Sequence, residues 1–379
     1  MNSKPIHLIA FNIPWPANYG GVIDVFYQIK ALHEAGADIT LHCFEYGRAH
    51  ANELEKYCRK VYYYKRITGI SSNFSLLPYN VLSRRNPKLL TNLQKDHAPI
   101  LFEGLHCCYY LNNPSLRDRV KIIRSCNVEQ DYYQSLAEVE SQFVKKRFFQ
   151  IEAWRWKKYE PNMKGASHIA AVSVADQNHI KNAIPSVPVS FIPCFHADEH
   201  IHILPGESDY IIYHGKLSVP ENEQAVLFLI RNVFSRLSCR CIIAGMDPSE
   251  KLILEARRLP NVQLIANPSD KAMEQLTTNA QIHLLVTFQP TGLKLKLLNS
   301  LFHGRHVIVN KQMLNGSGLD SACHIADTPS EMIQLCNRLI NQPFTQKDIE
   351  KRNALLIPAY SNRYQAKRLL DIMYPPQEG

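Results

Sequence analysis

Short apolar runs alternate with helical patterns through the second half of the chain, and no other feature constrains the fold as much. The runs are Tyr210-Ile211-Ile212-Tyr213-His214, Cys241–Ala244, Val262–Ala266, Ile282–Val286 and His306–Val309. Helical patterns separate them, through Ala225, Leu229 and Val233, over Ser249–Leu259, over Asp270–Thr278, and along the face made by Leu293, Leu297, Leu298 and Leu301. Strands joined in this way by helices run parallel, with right-handed crossovers. Ser218-Val219-Pro220-Glu221 has the form of a capping box, with Ser218 opening the first of these helices. Gly304 stands where a helix C-terminus favours glycine.

The first half follows the same grammar with longer insertions. Strands are expected at Ile6–Phe11, Ile39–Phe44, Val61–Tyr64, Ile100–Glu103, Lys121–Arg124, Ile169–Ser173 and Val189–Pro193. A helix over Val22–Ala35 ends at Gly36, and one long helix is expected from Tyr132 to Tyr159, stopping at Pro161. Residues 194–208 are polar and suit a linker. The organisation that follows is a domain over 1–193, a linker over 194–208, a domain over 209–360 and a final segment over 361–379. Two doubly wound α/β halves facing each other would open a cleft at the carboxyl ends of both sheets, where such sheets bind ligands.

Composition narrows the class. The 379 residues are 45% hydrophobic and 20% charged, which fits two ordinary globular domains. No apolar stretch approaches the ~20 residues of a membrane-spanning helix, and Ile6–Phe11 is shorter than a signal-peptide core. Ten cysteines without a C-x-x-C argue for reduced thiols and a cytoplasmic location. Of the net charge of +9, most lies in residues 1–190, with 24 Lys and Arg against 16 Asp and Glu. That balance suits a nucleotide diphosphate, a phospholipid surface or nucleic acid, and equally a merely basic surface. No nucleic-acid module accompanies the charge, so nucleic acid is not expected as a partner.

Two segments carry chemistry. Asn18-Tyr19-Gly20-Gly21 follows the first strand and opens a helix, where Gly20 and Gly21 let backbone N–H groups approach a phosphate or simply form a turn. Lys296 and Asn299, three residues apart, share a helix face, so one could meet a phosphate and the other a ribose hydroxyl. The same pair could be a solvated lysine and a surface amide. No D-x-D is present, and His196, Glu199, His200 and His202 lack metal-site spacing, so no metal is expected. The G-x-G-x-x-G of a nicotinamide enzyme is absent.

Over nearly its whole length the chain resembles retaining GT-B glycosyltransferases of the family 4 type, above all the bacterial polysaccharide-assembly branch. Pro16 to Gly21 matches their P-x-x-G-G loop; Gly215-Lys216-Leu217 and Pro220-Glu221-Asn222 match the opening of their second domain. Gly292 through Ile308 follows their G-x-x-x-K-x-L-[EN]-x-x-x-x-G-x-x-V-[IV]. The resemblance implies a GT-B fold, two Rossmann-like domains, and transfer of a sugar from a nucleotide-sugar donor, a UDP- or GDP-sugar, to a saccharide or lipid-linked acceptor. It implies no tightly bound cofactor. Lys216 and Lys296 would clamp the donor diphosphate beside Gly215, Asn299 would face the ribose, and the amides of Thr291, Gly292, Leu293 and Lys294 would meet the distal phosphate. Residues Tyr364–Met373 would return to the first domain as a final helix.

The chain departs from that family at two places. Asn299 stands where many members carry a glutamate, and Cys126 stands in Cys126-Asn127-Val128-Glu129 where relatives often have H-[ND]-x-E. Catalytic candidates are therefore Cys126, Glu129 and His106, the last following the Ile100–Glu103 strand. The departures keep a nucleotide-sugar-binding partner subunit, or an epimerase, as alternatives. Val144, Phe148, Ile151 and Trp154 form a stripe flanked by Lys145-Lys146-Arg147 and Lys157-Lys158. Such a helix can rest peripherally on an anionic membrane, at the cytoplasmic face, or bury the stripe as core.

Overall fold

A computed structural model describes residues 3–69, 75–140, 142–288 and 295–375. The chain divides into two units, residues 1–197 with 360–379, and residues 198–290 with 294–359. In the first unit the elements are β1 (Lys4–Ala10), α1 (Gly20–Glu34), β2 (Ala37–Glu45), β3 (Lys60–Lys65), α2 (Tyr79–Leu82), α3 (Pro87–Leu93), β4 (Ile100–Glu103), β5 (Lys121–Ser125), α4 (Glu129–Val139), α5 (Phe143–Tyr159), β6 (His168–Ala171), α6 (Val174–Ala183) and β7 (Val189–Phe191). In the second they are β8 (Tyr210–Lys216), α7 (Pro220–Asn232), β9 (Arg240–Met246), α8 (Glu250–Arg257), β10 (Val262–Ala266), α9 (Asp270–Asn279), β11 (Ile282–Leu285), α10 (Leu295–His303), β12 (His306–Val309), α11 (Lys311–Leu314), β13 (His324–Ile325), α12 (Pro329–Leu339) and α13 (Gln346–Tyr360). The closing helix α14 (Asn362–Met373) belongs to the first unit.

Both sheets are parallel, ordered β3-β2-β1-β4-β5-β6-β7 and β10-β9-β8-β11-β12-β13 among the described residues. Leu8 lies opposite Leu41 on one side and Leu101 on the other, and Ile211 lies between Cys241 and Ile282. Each sheet therefore reverses its strand order beside its own first strand, which leaves a crevice at the carboxyl ends of β1 and β4 and of β8 and β11. Parallel strands buried on both faces need apolar residues in succession, and that requirement produces the short runs in the sequence. On one face of the first sheet, Ile6, Leu8, Ile39 and Leu41 pack with Val25, Ile29 and Leu32 of α1 and with Leu369, Leu370 and Met373 of α14. On the other, Ile9, Phe44, Phe102 and Ile123 pack with Trp156 and Tyr159 of α5.

Two local expectations need correction. The single helix from Tyr132 is two, because Glu140 adopts an extended backbone and its carboxylate accepts the Gln142 N–H at 2.8 Å, ending α4 before α5 begins. Ser218 does not cap α7. That helix starts at Pro220 with Val219 in the cap position, and its acidic Glu221 and Glu223 offset the positive N-terminal end instead. Gly304 does close α10, following His303, and is small for packing as well: a Cβ there would lie 2.3 Å from Nε2 of His283.

A tighter constraint holds β8 to β9. A Cβ on Gly245 would lie 1.8 Å from the carbonyl oxygen of Gly215, its ladder partner, and backbone there cannot yield as a side chain can. Gly245→Ala should therefore destabilise the protein by about 3 kcal/mol, readable as a lower midpoint of denaturant unfolding with unchanged slope.

Candidate functional site

The candidate site residues of the second unit gather at the end of β8. Gly215 and Lys216 close that strand, with Lys216 exposed and its carbonyl accepting the Asn222 Nδ2–H at 2.9 Å. The Oδ1 of the same Asn222 accepts from Nζ of Lys296 at 2.6 Å, and Tyr213 Oη accepts from it at 3.1 Å. The ammonium also lies over the Tyr213 ring, 5.1 Å from its centroid. One amide thus ties together the two lysine-bearing segments that the family resemblance assigns to a diphosphate. Asn299 is half-buried, one turn along α10 from Lys296. Thr291, Gly292 and Leu293 lie outside the described residues.

A buried polar chain holds α10 against the strands. His283 Nε2 meets the Thr277 carbonyl at 2.8 Å, so it must carry the proton and leave Nδ1 as an acceptor for the Ser300 hydroxyl, also at 2.8 Å. Ser300 Oγ then accepts from Nε2 of His214 at 2.8 Å. Burial keeps both imidazoles neutral, lowering His283 to about 4 and His214 well below its usual range. Ser300 stands one helical turn after Lys296, so this chain sets the rotation of α10 that aims the lysine.

In the first unit, the loops after β1, β4 and β5 carry the remaining candidates. Gly20 begins α1, which has no side-chain cap and no acid in its first turn, leaving the positive end of the helix uncompensated. Gly21 has a packing reason as well, since a Cβ there would meet the Phe11 ring at 2.7 Å. After β4 the chain turns at Gly104, whose φ of +78° suits glycine, and delivers His106. The structure brings His106 and Glu129 together, with Nε2 and Oε2 3.5 Å apart. Burial raises the Glu129 carboxyl to about 8 against the opposing pull of Arg84. Burial, then Arg84 and Arg66, lowers His106 to about 3. At neutral pH the pair is a protonated acid facing a neutral imidazole. Cys126 lies between β5 and α4, three residues before Glu129, which begins that helix. Burial, with Asp24 and Glu103 nearby, pushes its thiol well up, so it is no proton acceptor at neutral pH.

Several residues here carried no sequence signal. Arg84 lies in no motif, yet it is buried and donates to the Phe11 carbonyl at 2.8 Å and to the Asn80 carbonyl at 2.7 Å, fixing the end of β1 beside His106. Arg124, wholly buried on β5, donates from Nη2 to both carboxylate oxygens of Asp24 of α1 at 2.9 and 3.1 Å and to the Pro193 carbonyl, and from Nη1 to the Ile192 carbonyl. Glu103 lies 3.9 Å from the same guanidinium, and burial raises it to about 8. The loops after β1 and β2 also flank an open surface groove of about 490 Å³, lined by Trp15, Asn18, Arg48, His50, Asn52 and Glu53. A ligand of one or two sugar rings fits such a volume.

Among the described residues no three His, Cys, Asp or Glu side chains converge as a metal site, and no helix is long and apolar enough to cross a membrane. All ten cysteines are free.

Solved structures define the class of fold. The chain superposes on TarM with a TM-score of 0.68 at 11% identity, over 98% of this chain and 99% of that one. The α,α-trehalose 6-phosphate synthase of Burkholderia multivorans gives 0.64 at 11% identity, over 98% of each. A glycosyltransferase of Rickettsia africae gives 0.64 at 12% identity, over 98% of each. The protein thus has the GT-B fold, with two Rossmann-like parallel-sheet domains. Among curated sequences it is similar to an uncharacterized 44.6 kDa protein in the cps region of Klebsiella pneumoniae, 23% identical over 97% of this chain and 98% of that protein. No family model matches the chain.

Two measurements follow. Ser300→Ala leaves the buried His214 and His283 nitrogens without their shared partner, a cost of about 2–4 kcal/mol in unfolding free energy. Glu103 has a folded pKa of about 8 against an ordinary 4.5, so its contribution to stability is full below about 4.5 and is lost as pH rises through about 8. Unfolding free energies taken between pH 5 and 9 should fall more steeply in the wild type than in Glu103→Gln.

Proposed function

We propose that the protein is a glycosyltransferase of polysaccharide or glycolipid assembly, moving a hexose from a UDP- or GDP-sugar to a saccharide or lipid-linked acceptor with retention and without a metal. The observation that carries this reading is the Lys296 ammonium held on Asn222 and Tyr213 beside the Lys216 strand end. Fixed cations arranged before the donor arrives stabilise a departing diphosphate without reorganising at the moment of reaction. The fold supports the reading, as does the relative from a cps region.

The first unit serves as the acceptor domain in this proposal, and the groove at Trp15, Arg48 and His50 suits a saccharide with its ring faces and hydroxyls. During transfer the bond from the anomeric carbon to the diphosphate breaks as the acceptor oxygen bonds on the same face. The acceptor proton passes to the departing phosphate oxygen, so no strong protein base is needed. His106, neutral through burial, can accept a hydrogen bond from a donor-sugar hydroxyl, and protonated Glu129 can donate one. Asn299 offers its amide to the ribose.

Cys126 and Asn299, standing where relatives often carry histidine and many carry glutamate, motivate a second reading, a nucleotide-sugar-binding subunit without turnover. Thermal unfolding with UDP, GDP, ADP and CMP and their sugars tests both. At ligand 100 times Kd the expected stabilisation is about 2.7 kcal/mol, for one base only and without metal. Lys216→Ala and Lys296→Ala should remove most of it. A shift retained in both variants would overturn the diphosphate assignment. A shift with no transfer to any acceptor saccharide would select the second reading.

A further inference from the structure

Among the described residues, two neighbouring arginines of the first unit, Arg66 and Arg84, pair with no ionised carboxylate. Arg66 follows β3 directly, and Arg84 lies two residues beyond α2. Arg84 is 4% exposed, and its guanidinium donates to the Phe11 and Asn80 carbonyls. Arg66 donates from Nε and Nη2 to Ser83 Oγ at 3.0 and 2.8 Å, and from Nη2 to Asn80 Oδ1 at 3.0 Å. All of these acceptors are neutral. Of the nearby carboxyls, Glu129 is held protonated by burial, and Glu152 is committed to Arg155 and the Tyr79 N–H. Removing a guanidinium from water is costly unless an opposite charge meets it. This protein nonetheless keeps two of them close enough to help burial hold His106 neutral.

The part of Arg66 left over meets a surface suited to a sugar. Its Nη1 makes no hydrogen bond among the described residues and stays open to solvent. The guanidinium lies over two rings, 4.7 Å from the Tyr46 centroid and 5.8 Å from that of Tyr79. Tyr46 is 64% exposed and immediately precedes Gly47 and Arg48, which line the groove of the first unit. Arg48 also rests on neutral partners, donating to Asn18 Oδ1 at 2.9 Å and to the Pro16 carbonyl, with its guanidinium over the Tyr19 ring. Glu53, which lines the same groove, is taken by Lys56 at 2.6 Å. Exposed aromatic faces suit a sugar ring. A guanidinium fixed on two sides, with the N–H groups of its third nitrogen free, suits an oxyanion. A neutral sugar would use the rings and leave the charges without a counterion.

We propose that the acceptor sugar carries an anionic group, a carboxylate or a phosphate, and that Nη1 of Arg66 binds it while Tyr46 packs on the ring. Arg84 is too enclosed to touch the ligand and contributes through its field. The inference rests on the first unit being the acceptor domain and adds the charge of what it accepts.

Isothermal titration of the full chain tests it, with methyl glucuronide, glucose 6-phosphate and methyl glucoside as probes at millimolar concentration. At least one anionic sugar should bind, the glucoside should not, and affinity should fall as salt rises. Binding of the glucuronide alone identifies a uronic acid, and of glucose 6-phosphate alone a sugar phosphate. Arg66→Gln should lower affinity at least about tenfold, and Arg66→Lys, which keeps the charge and loses the fork, should lower it less. Far-UV circular dichroism of both variants should match the wild type. Equal binding of charged and neutral sugars, no binding of either anionic sugar, or wild-type affinity in Arg66→Gln overturns the proposal. So does stabilisation by UDP-glucuronate beyond that by UDP-glucose that Arg66→Gln removes, which would put the anion on the donor. Nucleotide binding that persists while the anionic sugars fail strikes this inference alone. Anionic sugars bound through Arg66 with no response to any nucleotide uphold it and strike the donor-site reading.

Discussion

A parallel strand pair cannot be closed by a tight turn, and both sheets of this protein are parallel throughout. Every connection must cross over a sheet face, so helices cover both faces and every strand end of one polarity opens toward the loops that precede those helices. The reversal of order beside β1 and beside β8 separates neighbouring crossovers to opposite faces, leaving the carboxyl ends of those strands uncovered. Lys216, Gly104 and the turn carrying Gly20 and Gly21 all sit at such ends. Hydrogen-bond topology puts these candidate residues there before any side chain is considered.

Charge burial then decides what each end can do. Arg124 joins Asp24 of α1 to the backbone that follows β7, pinning elements far apart in sequence. With both carboxylate oxygens of Asp24 engaged, Glu103 remains beside the same cation with little solvent, and burial favours its protonated form. Arg84 plays a comparable part on the other face, holding the end of β1 while opposing the burial of Glu129 and deepening the neutrality of His106. In the second unit the buried chain through His214, Ser300 and His283 uses neutral imidazoles alone. Keeping charge out of that chain leaves the Lys296 ammonium as the positive group directed at the end of β8.

Much of this was legible along the chain. The strands were visible because two-sided burial demands successive apolar residues; Lys296 could be set on a helix face from its spacing, while Lys216 entered only through the family resemblance. Other features had no local signature. Arg84 and Arg124 read as ordinary arginines, since the partners that make them important lie on strands and loops far away in sequence. The pairing of Asn222 with Lys296 spans 74 residues and depends on α7 and α10 flanking one strand. Gly304 could be read as the residue closing α10 because glycine is common there. Its packing against His283 belongs to a neighbouring strand.

The α5 helix shows the limit most plainly. Its amphipathic period was clear, but a helix with two apolar sides does not announce which of them faces the sheet. Trp156 and Tyr159 went inward and Phe148, Ile151 and Trp154 outward, because Glu152 and Arg155 bury together with the Tyr79 backbone on the inner side. By itself the sequence determined the alternation of strand and helix, and with it the parallel sheets, since periodicity and apolar run length are local properties. Which ionisable groups are neutral, which lysine is aimed and which helix face is left to solvent were decided by tertiary structure. Those properties arise from desolvation and from contacts between residues that meet only once the sheets have formed.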